Sequence, residues 1–288
     1  GPILAPTDGR IVRIGQDPNS LDSKALADLG VEILHAPAAM NGTLYVSAAE
    51  RGVCAIGTDG IEQWQCDLDA VVYGTPVVTQ DRVYVGDLEG FVHAIDRGNG
   101  TRIWSERHAM FSIEQTLCHD AGTLYFGAWD GFVYAVDAED GSLRWKQPGP
   151  AAFREEAKYK SRYYGPGDCA PIVVGDRLFV VDRAYVLGSY SLKGEYLGEL
   201  ADGIAAIGAA TTRTHFYTRG VAKDLSCYDQ QGRQAWSNRI SLGRFPIPPT
   251  EVGGVVYACS NRGLLTAVDA ADGKILWRYQ ATPQLPVL

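Results

Sequence analysis

The chain has 288 residues, 46% hydrophobic and 21% charged, the balance of an ordinary globular protein. A net charge of −8 at pH 7 argues against broad nucleic-acid binding, and no apolar run is long enough for a membrane-spanning helix. The cysteines Cys54, Cys66, Cys118, Cys169, Cys227 and Cys259 form no C-x-x-C pair and read as small buried hydrophobes, with a Cys54–Cys66 disulfide across one hairpin left open.

The opening Gly1-Pro2 reads as the scar of a protease cut, so a leader or a neighbouring domain is expected ahead of it, and the compartment stays open. Residues 2–15 then match the second and third strands of a repeat whose outer strand is 23–29. The repeat is clearest at 81–104, DRVYVGDLEGFVHAIDRGNGTRIW. There, alternation at 83–86 and 91–95 and a strand over 102–105 are separated by turns at Glu89-Gly90 and Asp96–Gly100. It returns at 122–145 and 254–277. The turn-and-Trp pairs are Gly60/Trp64, Gly100/Trp104, Gly141/Trp145, Gly232/Trp236 and Gly273/Trp277. A degenerate copy keeps Gly194 but has Gly198 where the tryptophan belongs. The C-terminal stretch 282–288 matches an inner strand like that of 75–80.

Several strands per repeat at a period of about forty residues predict an all-β fold, a seven-bladed β-propeller of four-stranded antiparallel blades. Its last blade closes with strands from both chain ends, and residues 1–288 form one domain. Tyr45, Tyr84, Tyr125, Phe179, Tyr217 and Tyr257 on the second strands, with the blade tryptophans, fill the wedges between sheets. In the Asp-x-x-x-Gly turns, Asp bonds its own backbone and Gly takes positive φ.

The stretches AVDAEDGSLRW (135–145) and AVDAADGKILW (267–277) resemble the A-x-D-x-x-T-G-x-x-x-W repeat of the pyrroloquinoline-quinone-like repeat family, and the resemblance covers nearly the whole chain. Quinone-dependent dehydrogenases of that family have eight blades, a vicinal cysteine pair and a calcium site. With seven blades and no adjacent cysteines, this chain is similar to non-quinone-binding, non-catalytic members: a periplasmic outer-membrane assembly lipoprotein and propeller domains attached to bacterial kinases or phosphoesterases. The resemblance therefore implies a soluble binding or protein–protein interaction module of bacterial type with no cofactor.

Motif search yields no H-E-x-x-H, Walker loop or G-x-S-x-G. The G-x-G-x-x-A match at 165–170 leads into a strand, and Cys118-His119 reads as a solvated turn, so no metal site is expected. Two departures from the repeat remain as functional candidates. One is the insertion 147–168, whose Lys160, Arg162, Tyr163 and Tyr164 suit an anionic small molecule or an acidic protein segment. The other is the residue ahead of each third strand, where Arg183, Arg219 and Arg262, with Arg244 on an adjoining connection and Trp129 in a further turn, would form an electropositive sector on the same face. This reading favours a binding module without a cofactor. An enzyme of hydrolase, lyase or isomerase type would instead use Glu114, Asp168, Cys169 or Tyr73 near the axial channel mouth. An assembly scaffold, docking partners on its blade sides near the Gly198 repeat, is the third reading.

Overall fold

The computed structural model describes residues 3–4, 8–14, 23–222, 224–240, 247–260 and 263–280. These form β-strands and short 3-10 helices; none of the helices is long and apolar enough to cross a membrane. Seven antiparallel sheets follow one another along the chain, one for each repeat. Six have four strands in sequential order. The N-terminal sheet has three described strands, Ile3–Leu4, Arg10–Ile14 and Ser23–Asp28. Those are the second, third and outer strands expected there; the predicted closing strand at 282–288 lies outside the described residues. The chain divides into two compact units, residues 1–130 with 134–144, and residues 131–133 with 145–288.

The third sheet shows why the repeat folds as it does. Its strands are Val77–Val78, Arg82–Gly86, Phe91–Asp96 and Arg102–Arg107. Register pairs Tyr84 with Ala94 and Ala94 with Trp104, so the two large rings share one face across a small residue, 6.1 Å apart. The same pairing recurs as Tyr45–Trp64, Tyr217–Trp236 and Tyr257–Trp277, at 5.9, 5.9 and 6.0 Å.

The turn after Phe91–Asp96 is held by Asp96, whose Oδ1 accepts the N–H groups of Gly98 and Asn99. Gly100 closes it at φ +76, and a Cβ there would stand 2.7 Å from the Trp64 ring of the preceding sheet. Trp64 Nε1 donates to Arg97 O in the same turn at 3.0 Å. Positive φ and close approach both demand glycine. In the second unit, Trp145 meets Gly194 and Trp236 meets Gly273 in the same way.

The fifth sheet, Ile172–Val174, Arg177–Val181, Leu187–Ser191 and Tyr196–Ala201, lacks the tryptophan. Gly198 sits opposite Ser189 with φ +124 and no atom within 4 Å of a built Cβ. Leu200, two residues on, takes over the packing against Gly232, 2.7 Å from its would-be Cβ.

All six cysteines are free. Register pairs Cys54 with Gln65 and Val53 with Cys66, so the two thiols are not cross-strand partners and the disulfide left open above is not made.

Candidate functional site

The insertion 147–168 is a strap of three 3-10 turns, Pro150–Phe153, Ala157–Lys160 and Arg162–Tyr164. Alternating Gly, Pro and charged residues give it neither strand nor α-helical period, so tertiary contacts must hold it. The Phe153 ring stacks on Tyr196 with centroids 3.9 Å apart. Arg154 forks onto Glu199 at 2.9 and 2.6 Å and reaches Asp202 at 3.1 Å. Those bonds, foremost the one to Glu199, hold the Arg154 guanidinium protonated well above its ordinary range.

Asp182 supplies the third anchor. Its carboxylate is 1% exposed and accepts the N–H of Ala151 from the strap and of Ala184 and Val186 from its own turn. Burial raises its pKa to about 6, against the three N–H groups and Arg154, which favour the charged form. Tyr190 Oη donates to Pro148 O at 2.7 Å and fixes the start of the strap.

The far end of the strap meets the turn ahead of Leu187–Ser191, where the sequence placed Arg183. The Arg183 backbone N–H donates to Gly165 O at 3.2 Å, and its guanidinium stands 4.7 Å from the centroid of the Tyr163 ring. Tyr163 is 56% exposed and packs edge-on against Tyr164. Lys158, Lys160 and Arg162 are exposed on the same strap. Arg183, Tyr163, Tyr164, Lys160 and Arg162 thus lie on two segments that touch each other.

Other candidates fall elsewhere. Arg219 was expected in a surface turn; it lies inside the strand His215–Gly220, is 1% exposed, and donates to Cys259 O at 3.1 Å. Burial lowers its pKa, the opposite of what a guanidinium paired with a carboxylate would show. Arg244 and Arg262 lie outside the described residues. Arg51, which also stands ahead of a third strand, pairs with Glu62 at 2.8 Å and Gln65 at 2.6 Å.

Tyr73 and Glu114 belong to the first unit and occupy connections ahead of Val77–Val78 and Cys118–Asp120, not the inner strands themselves. Glu114 accepts from Ser112 Oγ at 3.2 Å. Trp129, in the same unit, is half-buried, and its backbone N–H donates to Ser112 O. Asp168 is exposed beside Cys169, whose thiol is 4% exposed and pushed up by burial to about 12. A thiol so far from ionising is a packing group rather than a nucleophile at neutral pH.

Two features escaped the sequence reading. In the third sheet His93 Nε2 meets Asp87 Oδ2 at 2.9 Å while Ser105 Oγ meets His93 Nδ1 at 2.9 Å. Both His93 and Asp87 are 1% exposed. Asp87 also accepts the N–H of Glu89 and Phe91, so the relay closes the turn between two strands. The second feature is Tyr185, 46% exposed at φ +65 in the Arg183 turn. A tyrosine where the aligned repeats carry glycine was its only signal in the sequence.

The family described as outer membrane protein assembly factor BamB matches residues 7–181 and 198–288. BamB of Salmonella typhimurium is 32% identical over 102 residues, which is 32% of this chain and 24% of that protein's length. BamB of Marinobacter adhaerens is 38% identical over 72 residues, 24% of this chain and 18% of the relative. The chain therefore spans about a quarter of the length of the Salmonella relative and less of the other. Among solved structures, BamB from Moraxella catarrhalis superposes with a TM-score of 0.72 at 16% identity, covering 98% of this chain and 86% of that one. The computationally designed Ika8 protein gives 0.76 at 12% identity, covering 97% and 84%. These likenesses show the fold, a seven-bladed β-propeller.

Proposed function

The chain belongs to the family of the outer membrane protein assembly factor BamB, and from that premise we propose that it is a protein-binding propeller module whose docking surface is the strap and the Arg183 turn. The relatives are named for assembling outer-membrane proteins, a task of holding partners rather than of bond chemistry. The observation that carries the site is the contact between Arg183 and Tyr163. It ties an exposed aromatic to a guanidinium, the residue types that dominate binding hot spots. The anchors at Phe153, Arg154 and Asp182 pre-organise the strap, so little ordering entropy remains to oppose binding.

The partner is an acidic protein segment. Beyond the exposed Glu155 and Glu156, the 158–162 end of the strap carries Lys158, Lys160 and Arg162, and with Arg183 it forms a positive stretch on a chain of net charge −8. Arginine at such a site favours a carboxylate in bidentate geometry. The test is site-specific photo-crosslinking in a bacterial host, with a crosslinking residue at Tyr163 and a control at the exposed Ile61. A discrete protein adduct at Tyr163 and none at Ile61 supports the module; equal labelling at both positions removes the proposed surface.

A further inference from the structure

The turn ahead of the third strand is closed by Gly90, Gly131 and Gly263 in three sheets, at φ +87, +94 and +74. The fifth sheet makes the same turn with Tyr185 at φ +65. A bulky side chain in that region is an outlier, and the surrounding structure must over-determine it. It does so here: Tyr185 N donates to Asp182 O at 2.8 Å, Ile204 N donates to Tyr185 O at 2.9 Å, and Asp182 Oδ1 takes two further N–H groups of the turn. A glycine would keep every one of these backbone bonds without the strain. Nor does the ring repay it by packing, since Tyr185 is 46% exposed.

The segments bonded to the Tyr185 turn carry exposed apolar groups and a guanidinium, with the exposed Asp202 carboxylate next to Gly203. Arg183 stands two residues earlier, over the exposed Tyr163. Beyond it, Ile204 is bonded to Tyr185, and Gly203 beside Ile204 accepts the N–H of Val221, which is 50% exposed. Tyr163 and Arg183 are thus in contact, and the turns carrying Arg183, Tyr185 and Val221 are linked through backbone hydrogen bonds at Ile204 and Gly203. Arg183 and Tyr185 lie between the two segments that the family model matches, 7–181 and 198–288.

We propose that Tyr185 is a specificity-determining anchor, held in a strained turn to present its ring to an extended, carboxylate-bearing polypeptide segment. The proposal rests on the binding-module reading above and deepens it. The segment's carboxylate meets Arg183, and its apolar side chains lie along Tyr163, Tyr185 and Val221. The distribution of these groups over the strap and two further turns favours a polypeptide over a small anion, and the guanidinium sets the sign of the charge.

The experiment reads stability and binding together. Its probe is a short fluorescein-labelled peptide of alternating aspartate and leucine, with a lysine-for-aspartate version as control, followed by anisotropy. The wild type binds the acidic peptide and not the lysine one. Tyr185→Gly melts about 2–4 °C higher, because the strain is relieved, yet binds about tenfold more weakly. Tyr185→Phe keeps the affinity. A Tyr185→Gly protein that binds as the wild type does, while Arg183→Glu has lost binding, overturns the anchor and leaves the module standing. A lower melting temperature for Tyr185→Gly overturns the strain argument. A wild type that ignores the acidic peptide overturns the acidic segment as its ligand, whereas the module itself is judged by the Tyr163 adduct.

Discussion

The Arg183 guanidinium lies 4.7 Å from the centroid of the Tyr163 ring, joining an insertion after the fourth sheet to a turn within the fifth. The strap that carries Tyr163 has no regular hydrogen-bond ladder of its own, so its position depends on the few anchors it makes.

Arg154 is the first of these. Arg154→Ala removes the fork to Glu199 and the contact to Asp202. Glu199 and Asp202 are 38% and 62% exposed and remain solvated, so global stability falls by only about 1 kcal/mol. The local effect is larger: limited proteolysis should cut within residues 150–164 many times faster than in the wild type, at unchanged far-ultraviolet dichroism.

Asp182 makes stability depend on pH. Its folded pKa, about 6, lies above the ordinary 3.8, so protonation favours the folded state. The stability from this group is fully present below about pH 4 and is lost as pH rises through about 6. Burial makes that loss of order 2 kcal/mol. Urea unfolding of wild type and Asp182→Asn across this window checks it. The difference between the two curves should change through the window, and a constant difference would refute the assignment.

The His93 relay separates a buried charge from a peripheral hydroxyl. His93→Leu leaves the Asp87 carboxylate buried without its ring partner and costs about 3–5 kcal/mol. Ser105→Ala removes one hydrogen bond at the edge and costs about 1 kcal/mol. Denaturant midpoints of the two variants, read with equal slopes, give the comparison.

Turn glycines differ in cost by what stands beside them. Gly100→Ala drives a Cβ to 2.7 Å from the Trp64 ring and takes on positive φ as well, for about 2–4 kcal/mol. Gly198→Ala meets no atom and pays only the backbone term, about 1 kcal/mol. Thermal melts should rank the two variants in that order.

The architecture was legible because it repeats. Asp96, Gly100 and Trp104 recur at fixed spacing, and each is required by a local cause: an Asx turn, a positive φ, and a ring packed across a small residue. Much of the site was legible only as composition. The insertion stood out, but its anchors Tyr196, Glu199 and Asp202 come after three further strands, so its direction was set by tertiary contacts. Arg219 was misplaced because the strand His215–Gly220 runs on through the position where a turn was expected. The His93 relay was hidden because Asp87, His93 and Ser105 meet only once three strand segments are in register.

The most direct measurement of the docking surface is the Tyr163 photo-adduct in an Arg183→Glu background. The account predicts that the adduct falls about tenfold while the melting temperature and dichroism stay those of the wild type. An adduct of full intensity in the charge-reversed protein would contradict it.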